Sequence, residues 1–244
     1  MKYVTIMGVP FLHTDQASFV NLLVDRIDQQ EKTYVVTANP EIVMKANEDA
    51  AFMQDILQAN YIIADGIGVV KAAQILGNPL PGRVTGFDTT MELLKIANEK
   101  HYKLYLLGAK KETLEKTVAN IARDYPGVEI VGSHDGYFNW EKNHIAETIA
   151  ELKPDLVLVA LGFPKQEKWI VENLSKFDHG VFIGIGGTFD IIAGTAVRAP
   201  LAWQKLGLEW LHRLIKQPSR WRRMLVLPQF AGKIIAQKVK GASS

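Results

Sequence analysis

The sequence predicts an α/β fold, a mostly parallel β-sheet with helices on both faces, followed by a basic, helical C-terminal appendage. Three observations predict it. Short, nearly continuous apolar runs recur to about residue 200: YVTIMGV, TYVVTA, YIIAD, KLYLLGA, VEIVG, DLVLVALG and GVFIGIGG. Segments such as QASFVNLLVDRIDQQ and TTMELLKIANEK separate them, with apolar residues three and four apart as on one buried helix face. Beyond about Pro200 the runs stop. A helical pattern, AWQKLGLEWLHRLIK, there overlaps a cation-rich stretch, LHRLIKQPSRWRRMLVLPQF.

Val, Ile and Leu without polar alternation mark strands covered on both sides, the condition of a parallel sheet between helix layers. The expected architecture is therefore Rossmann-like over residues 1–199, with residues 200–244 as the appendage. A chain of 244 residues, 48% of them hydrophobic, buries roughly 70–75% of its unfolded surface, enough for one sizeable core. Its apolar runs fall short of the roughly 18 residues of a spanning helix. The N-terminus shows no small-residue cleavage site, so neither a transmembrane segment nor a signal peptide is expected. The chain has no Cys, which removes disulfides and thiolate metal sites and fits a reducing cytoplasm.

In open parallel sheets ligands sit beyond the carboxyl ends of the strands, and the candidate residues fall there in chain order. VVTANPEIV, residues 35–43, runs from a strand into a helix with Asn39 as N-cap and Pro40 at the first helical position, which ordinary capping explains. Thr37 and Asn39 would also stand beside free backbone N–H groups, a place for a phosphate or a sugar hydroxyl. YIIADGIGVV, residues 61–70, sets Asp65 between a strand and a Gly-softened helix start, as a cap or as a general base. NPLPGRVTGFD, residues 78–88, carries Arg83 on a Pro/Gly-rich loop, where it is either solvated or a bidentate partner for phosphate oxygens. Asp88 reads as a cap. In ALGFPKQEKWI, residues 160–170, Pro164 opens a helix with Gln166 in its first turn. In GIGGTFDIIAG, Gly184, Gly186 and Gly187 let the backbone approach a ligand closely.

Absences constrain the chemistry. No G-x-G-x-x-G, Walker A, D-x-D or H-E-x-x-H pattern occurs, and the six His are scattered at 13, 101, 134, 144, 179 and 212. Neither a nucleotide cofactor nor a metal ion is expected. Any diphosphate would then be met by Arg, Lys, backbone N–H groups and helix dipoles.

The net charge of +2 hides an asymmetry. From Trp210 to Ser244 there are eight Lys or Arg and no Asp or Glu, which leaves 20 − 26 = −6 for the other 209 residues. Pro218 is placed to open a helix in this stretch and Pro228 to end it. Arg213, Lys216, Arg220 and Arg223, spaced i, i+3, i+7 and i+10, would share one face of an uninterrupted helix, a condition Pro218 puts at issue. With Trp221, Met224, Leu225, Leu227 and Phe230 they suit the interfacial layer of an anionic membrane. The alternatives are a solvated basic face and, from the Trp interleaving, nucleic-acid binding, which the acidic remainder of the chain disfavours.

Taken together and in order, TANPEIV, ADGIGVV, GRVTGFD, GFPKQEKW, GIGGTFD and RAPLAWQKLGLEWLHRL resemble the WecG/TagA/CpsF glycosyltransferase family, glycosyltransferase family 26, across about residues 5–225. The likeness is greatest to its TagA branch, of wall teichoic acid synthesis. The resemblance implies inverting transfer of N-acetylmannosamine from UDP-N-acetylmannosamine to the 4-hydroxyl of N-acetylglucosamine on undecaprenyl diphosphate. N-acetylmannosaminuronic acid is the alternative donor sugar. The resemblance puts the base on Asp65, donor or acceptor contacts on Thr37, Asn39, Arg83 and Gln166, and functional roles on Arg213, Arg220 and Arg223. The expected location is cytoplasmic, on the inner face of the membrane. The expected partners are the UDP-sugar, the lipid-linked acceptor and the anionic leaflet, with no nucleic acid; self-association is left open.

Overall fold

The computed structural model describes residues 1–216, 218 and 221–241, with the side chains of all but Lys205, Arg213, Arg222 and Lys240 in that range. The first apolar run departs from expectation. It forms no strand of the main sheet but folds back as an antiparallel hairpin, β1 (Tyr3–Ile6) and β2 (Val9–Leu12). Met7 and Gly8 between them both have positive φ, 49° and 81°, as a two-residue type I′ turn demands. The hairpin packs beside the edge strand of the main sheet and so covers it.

After α1 (Gln16–Asp28) the chain alternates strand and helix: β3 (Thr33–Ala38), α2 (Pro40–Glu48), α3 (Ala50–Leu57), β4 (Tyr61–Ala64), α4 (Ile67–Ile75) and α5 (Gly86–Lys100). β5 (Lys103–Gly108), α6 (Lys111–Asp124), β6 (Glu129–His134) and α7 (Ile145–Leu152) follow. β7 (Leu156–Ala160), α8 (Lys165–Asn173), β8 (Val181–Gly184) and α9 (Thr188–Ile192) complete the sheet. The six strands β3 to β8 run in the order β4-β3-β8-β7-β5-β6, every neighbouring pair parallel.

The two-residue period of a strand explains the unbroken apolar runs. Tyr34, Val36, Val157, Val159 and Phe182 point into one core, while Val35, Leu156, Leu158, Val181 and Ile183 point into the other. The hairpin and helices α2, α3, α4, α7 and α8 cover the first face, and α1, α5, α6 and α9 the second. The neighbours β3 and β8 therefore feed helices on opposite faces, α2 and α9. Their loops diverge and leave a crevice at the carboxyl ends of the strands.

Four helices follow the sheet: α10 (Leu201–Lys205), α11 (Glu209–Lys216), α12 (Trp221–Met224) and α13 (Val226–Gly241). Pro228 does not end a helix; it is the third residue of α13. A first-turn N–H has no intrahelical partner to lose, and the ring excludes the carbonyl four residues back, so the break falls upstream, at Leu225. Arg213 and Arg223 stand on different helices, α11 and α12, so they do not share one uninterrupted helix. α13 packs on α2 and α4 and buries Phe230 and Ile234 in the first-face core. Gln237 Oε1 accepts a hydrogen bond from Met7 N at 3.2 Å. No helix among the described residues is long and apolar enough to cross a membrane.

Since Phe230 is 3% exposed, Phe230→Ala should lower the unfolding free energy by about 3 kcal/mol, measured by urea denaturation. A change within experimental error would show that α13 is undocked in solution.

Candidate active site

A cavity of about 460 Å³ opens in the crevice, within the range of small-molecule sites. Thr37, Asn39, Asp65, Arg83, Gln166 and Arg223 all line it. Arg220 and the side chain of Arg213 lie outside the described residues.

The end of β3 contributes Thr37 and Asn39 to the site, and that of β4 contributes Asp65. Thr37 Oγ1 donates to Gly184 O at 2.6 Å, joining β3 to β8 just beyond the last ladder pair, Val35 with Ile183. Asn39 caps α2 by accepting from Ile42 N at 3.1 Å, with Pro40 behind it as expected. Asp65 does not cap the helix that follows it. Gly66 is the N-cap of α4 and makes no side-chain bond. The Asp65 carboxylate reaches instead to the start of α5, where Oδ1 accepts from Gly86 N at 2.9 Å. The residue stays partly exposed at the cavity wall.

The cations are held by carboxylates. Arg83 Nη2 pairs with Glu209 Oε2 at 2.9 Å, both side chains largely buried. This pair links the loop before α5 to the start of α11. Arg198, also on the cavity wall, makes a bidentate pair with Asp88 at 2.5 and 2.8 Å and lies 4.5 Å over the Phe87 ring. Asp88 is not a cap. Thr85 caps α5 through Asp88 N at 2.9 Å, and the Asp88 carboxylate takes the Thr85 hydroxyl at 2.6 Å. Burial opposes the Asp88 charge, yet the bonds from Arg198 and Thr85 hold its pKa below the usual value. Burial likewise opposes the Arg198 charge, but Asp88, with Glu209 and Asp65 farther off, raises its pKa.

Gln166 is 3% exposed. Its Oε1 accepts from Gly186 N at 3.1 Å and its Nε2 donates to Glu167 Oε1 at 2.8 Å. The amide lies against Gly184, where a Cβ would come within 2.6 Å of Nε2, so only glycine leaves it room. Among the described residues no group of three or more His, Cys, Asp or Glu could hold a metal ion.

Arg198, Glu209 and Glu167 were missed from the sequence. Glu209 had a signal: it is the last acidic residue of the chain and sits within the apolar LGLEWL, where a carboxylate needs a buried partner. Glu167, between Gln166 and Lys168, had none, because KQEK reads as a solvated turn.

The family model for the WecG/TagA/CpsF glycosyl transferases matches residues 4–244. The chain belongs to this glycosyltransferase family. An N-acetylglucosaminyldiphosphoundecaprenol N-acetyl-beta-D-mannosaminyltransferase of Bacillus subtilis (strain 168) is 38% identical over 98% of this chain and 93% of its own length. The protein of the same name from Staphylococcus aureus (strain MW2) is 38% identical over 97% and 94%. That from Bacillus spizizenii is 37% identical over 96% and 91%. In this WecG/TagA/CpsF glycosyltransferase the segments GRVTGFD and RAPLAWQKLGLEW meet through the Arg83–Glu209 and Arg198–Asp88 pairs.

Burial pushes the Glu167 carboxyl from 4.5 up to about 7. The folded chain thus keeps a proton that the unfolded chain has released, and stability falls as pH rises from about 4.5 through about 7. The titratable group that faces it is Tyr34 on β3, itself shifted upward by burial and by the charges of Glu167 and of Asp55 on α3. Lys168 and Glu172 on its own helix are exposed and paired with each other. Glu167→Gln, which does not titrate, should gain on the wild type between pH 5 and pH 8 by on the order of 3 kcal/mol, measured by denaturation at each pH. A constant difference between the two proteins would refute the shift.

Proposed function

We propose that the protein transfers N-acetylmannosamine from UDP-N-acetylmannosamine to the 4-hydroxyl of N-acetylglucosamine on undecaprenyl diphosphate, with inversion and without a metal ion. The observation that carries this reading is the position of the Asp65 carboxylate, on the wall of a cavity that Arg83, Arg198 and Arg223 also line. The names of the three relatives supply the donor sugar and the lipid-linked acceptor.

The step is a single displacement. The acceptor oxygen attacks the anomeric carbon, its proton passes to Asp65, and the anomeric C–O bond breaks with its electron pair leaving on UDP. A hydroxyl is a poor nucleophile until its proton is accepted, which one positioned carboxylate provides. The Gly86 N–H holds Asp65 Oδ1 and so orients the carboxylate. The leaving diphosphate gains charge, and guanidinium groups in a site of low dielectric stabilise it without reorganisation. No second carboxylate nucleophile is required, since an inverting transfer forms no covalent sugar intermediate.

The acceptor is a lipid, and the 200–244 segment suits a membrane surface. Trp210, Ile215, Trp221 and Leu225 are exposed apolar side chains on or beside α11 and α12, with the exposed cations Lys216 and Arg223 among them. Each such cation contributes about 1 kcal/mol at an anionic leaflet. In this reading the appendage binds the inner face of the cytoplasmic membrane and brings its arginines to the diphosphates.

Asp65→Asn keeps an oxygen for Gly86 N but cannot take a proton. It should cut kcat by about 10²–10⁴-fold while UDP affinity by titration calorimetry stays near that of the wild type. Near-normal turnover would remove Asp65 from the chemistry. The double variant Ile215→Ser/Leu225→Ser should lose co-sedimentation with vesicles rich in anionic lipid and keep its melting temperature. Undiminished vesicle binding would defeat the membrane reading.

A further inference from the structure

We propose that Glu167 is a positioning residue of the sugar-nucleotide site: it locks the Gln166 side-chain amide so that the amide faces the bound donor as a hydrogen-bond donor. The proposal rests on the function given above and adds a residue and a recognition rule to it.

A glutamine amide has two orientations of nearly the same shape that differ in what they offer a ligand. Here both neighbours select the same one. Gly186 N–H requires an acceptor and finds Oε1 at 3.1 Å; the Glu167 carboxylate offers acceptors only and finds Nε2 at 2.8 Å. Reversing the amide would set N–H against N–H at Gly186 and oxygen against oxygen at Glu167. The missing Cβ of Gly184 leaves the space in which the amide lies. Of the two amide hydrogens, one is taken by Glu167. The other is left for a ligand in the cavity that Gln166 lines, and it fits an acceptor oxygen of the donor, on a phosphate, a sugar hydroxyl or the N-acetyl carbonyl.

The cost of Glu167 points the same way. It is 1% exposed and has no ion-pair partner among the described residues. Its Oε2 is buried without a hydrogen bond, and so is the hydroxyl of Tyr34, which is 0% exposed. Leaving a carboxyl oxygen unsatisfied in a core is expensive, and an apolar side chain of similar volume is commonly neutral or stabilising in its place. A residue that served stability alone would not be built this way. One that orients a ligand-binding amide trades stability for geometry.

The experiment compares Glu167→Leu, Glu167→Gln and the wild type with UDP-N-acetylmannosamine and a soluble lipid-diphosphate acceptor, together with melting temperatures. Glu167→Leu should raise the donor KM about ten-fold with kcat changed less than about three-fold, the mark of lost binding in ground and transition state alike. Its melting temperature should be equal or higher. Glu167→Gln, whose carbonyl still accepts from Gln166 Nε2, should hold the donor KM within about three-fold of the wild type. An unchanged KM in Glu167→Leu, or a rise in both variants that follows falling melting temperatures, would overturn the role of Glu167. A wild type that neither binds UDP nor turns over the donor would instead overturn the function on which the proposal rests.

Discussion

β3 and β8 lie side by side and parallel, yet the helices that follow them leave to opposite faces of the sheet. Two backbones that diverge at one edge cannot fill the space between them, so the crevice is a consequence of chain order. Everything chemical gathers there. Thr37 and Asn39 come from the end of β3, Asp65 from the end of β4, and Gly184 and Gly186 from the end of β8. Gln166, at the start of α8, lies over Gly184. The Thr37–Gly184 hydrogen bond closes the last gap between the two diverging strands and sets the floor on which the other groups stand.

A crevice lined with arginine needs counter-charge while it is empty, because a guanidinium that loses water without gaining a partner is costly. Glu209 supplies it to Arg83 and Asp88 to Arg198. The Arg83–Glu209 pair is the better screened of the two, so removing one of its partners leaves a poorly solvated charge, a loss that an exposed surface pair does not incur. Both pairs also hold the guanidinium groups in place before any anion arrives, which is how charged hydrogen-bond donors stabilise a developing charge without reorganising. The same carboxylates limit how tightly an anion is held, since each arginine is already partly neutralised. In the proposed reaction, a site organised this way favours release of the diphosphate as well as stabilising its departure.

The strands, the position of Asp65 and the Thr37–Asn39 edge were legible because they follow from local periodicity and from what precedes a helix. What was not legible depends on distance along the chain. One partner of Asp65 is Gly86, 21 residues on, and Arg83 pairs with Glu209, 126 residues on; only the fold brings them together. YVTIMGV read as one strand because its turn, Met7–Gly8, interrupts the apolar pattern only at a residue that strands also tolerate. Pro228 read as a stop because proline ends a helix upstream of itself and begins one downstream, and composition does not say which. Glu167 was invisible for another reason: nothing in KQEK shows that its one acid turns inward against Gln166.

The chain beyond residue 200 divides at Leu225, between α12 and α13. On one side, α13 belongs mechanically to the core, pinned by Phe230, Ile234 and the Gln237–Met7 bond. On the other, α11 and α12 give Trp210, Arg223 and Met224 to the cavity wall, and Leu227, at the start of α13, joins them. Their far end is tied by Glu209 to Arg83. This segment is therefore anchored at both ends and presents apolar side chains outward between the anchors, at Ile215, Trp221 and Leu225. These outward side chains share α11, α12 and the residue after them with the wall residues Trp210, Arg223 and Met224. In the proposed function, whose acceptor is a membrane lipid, that geometry joins the place of docking to the place of transfer.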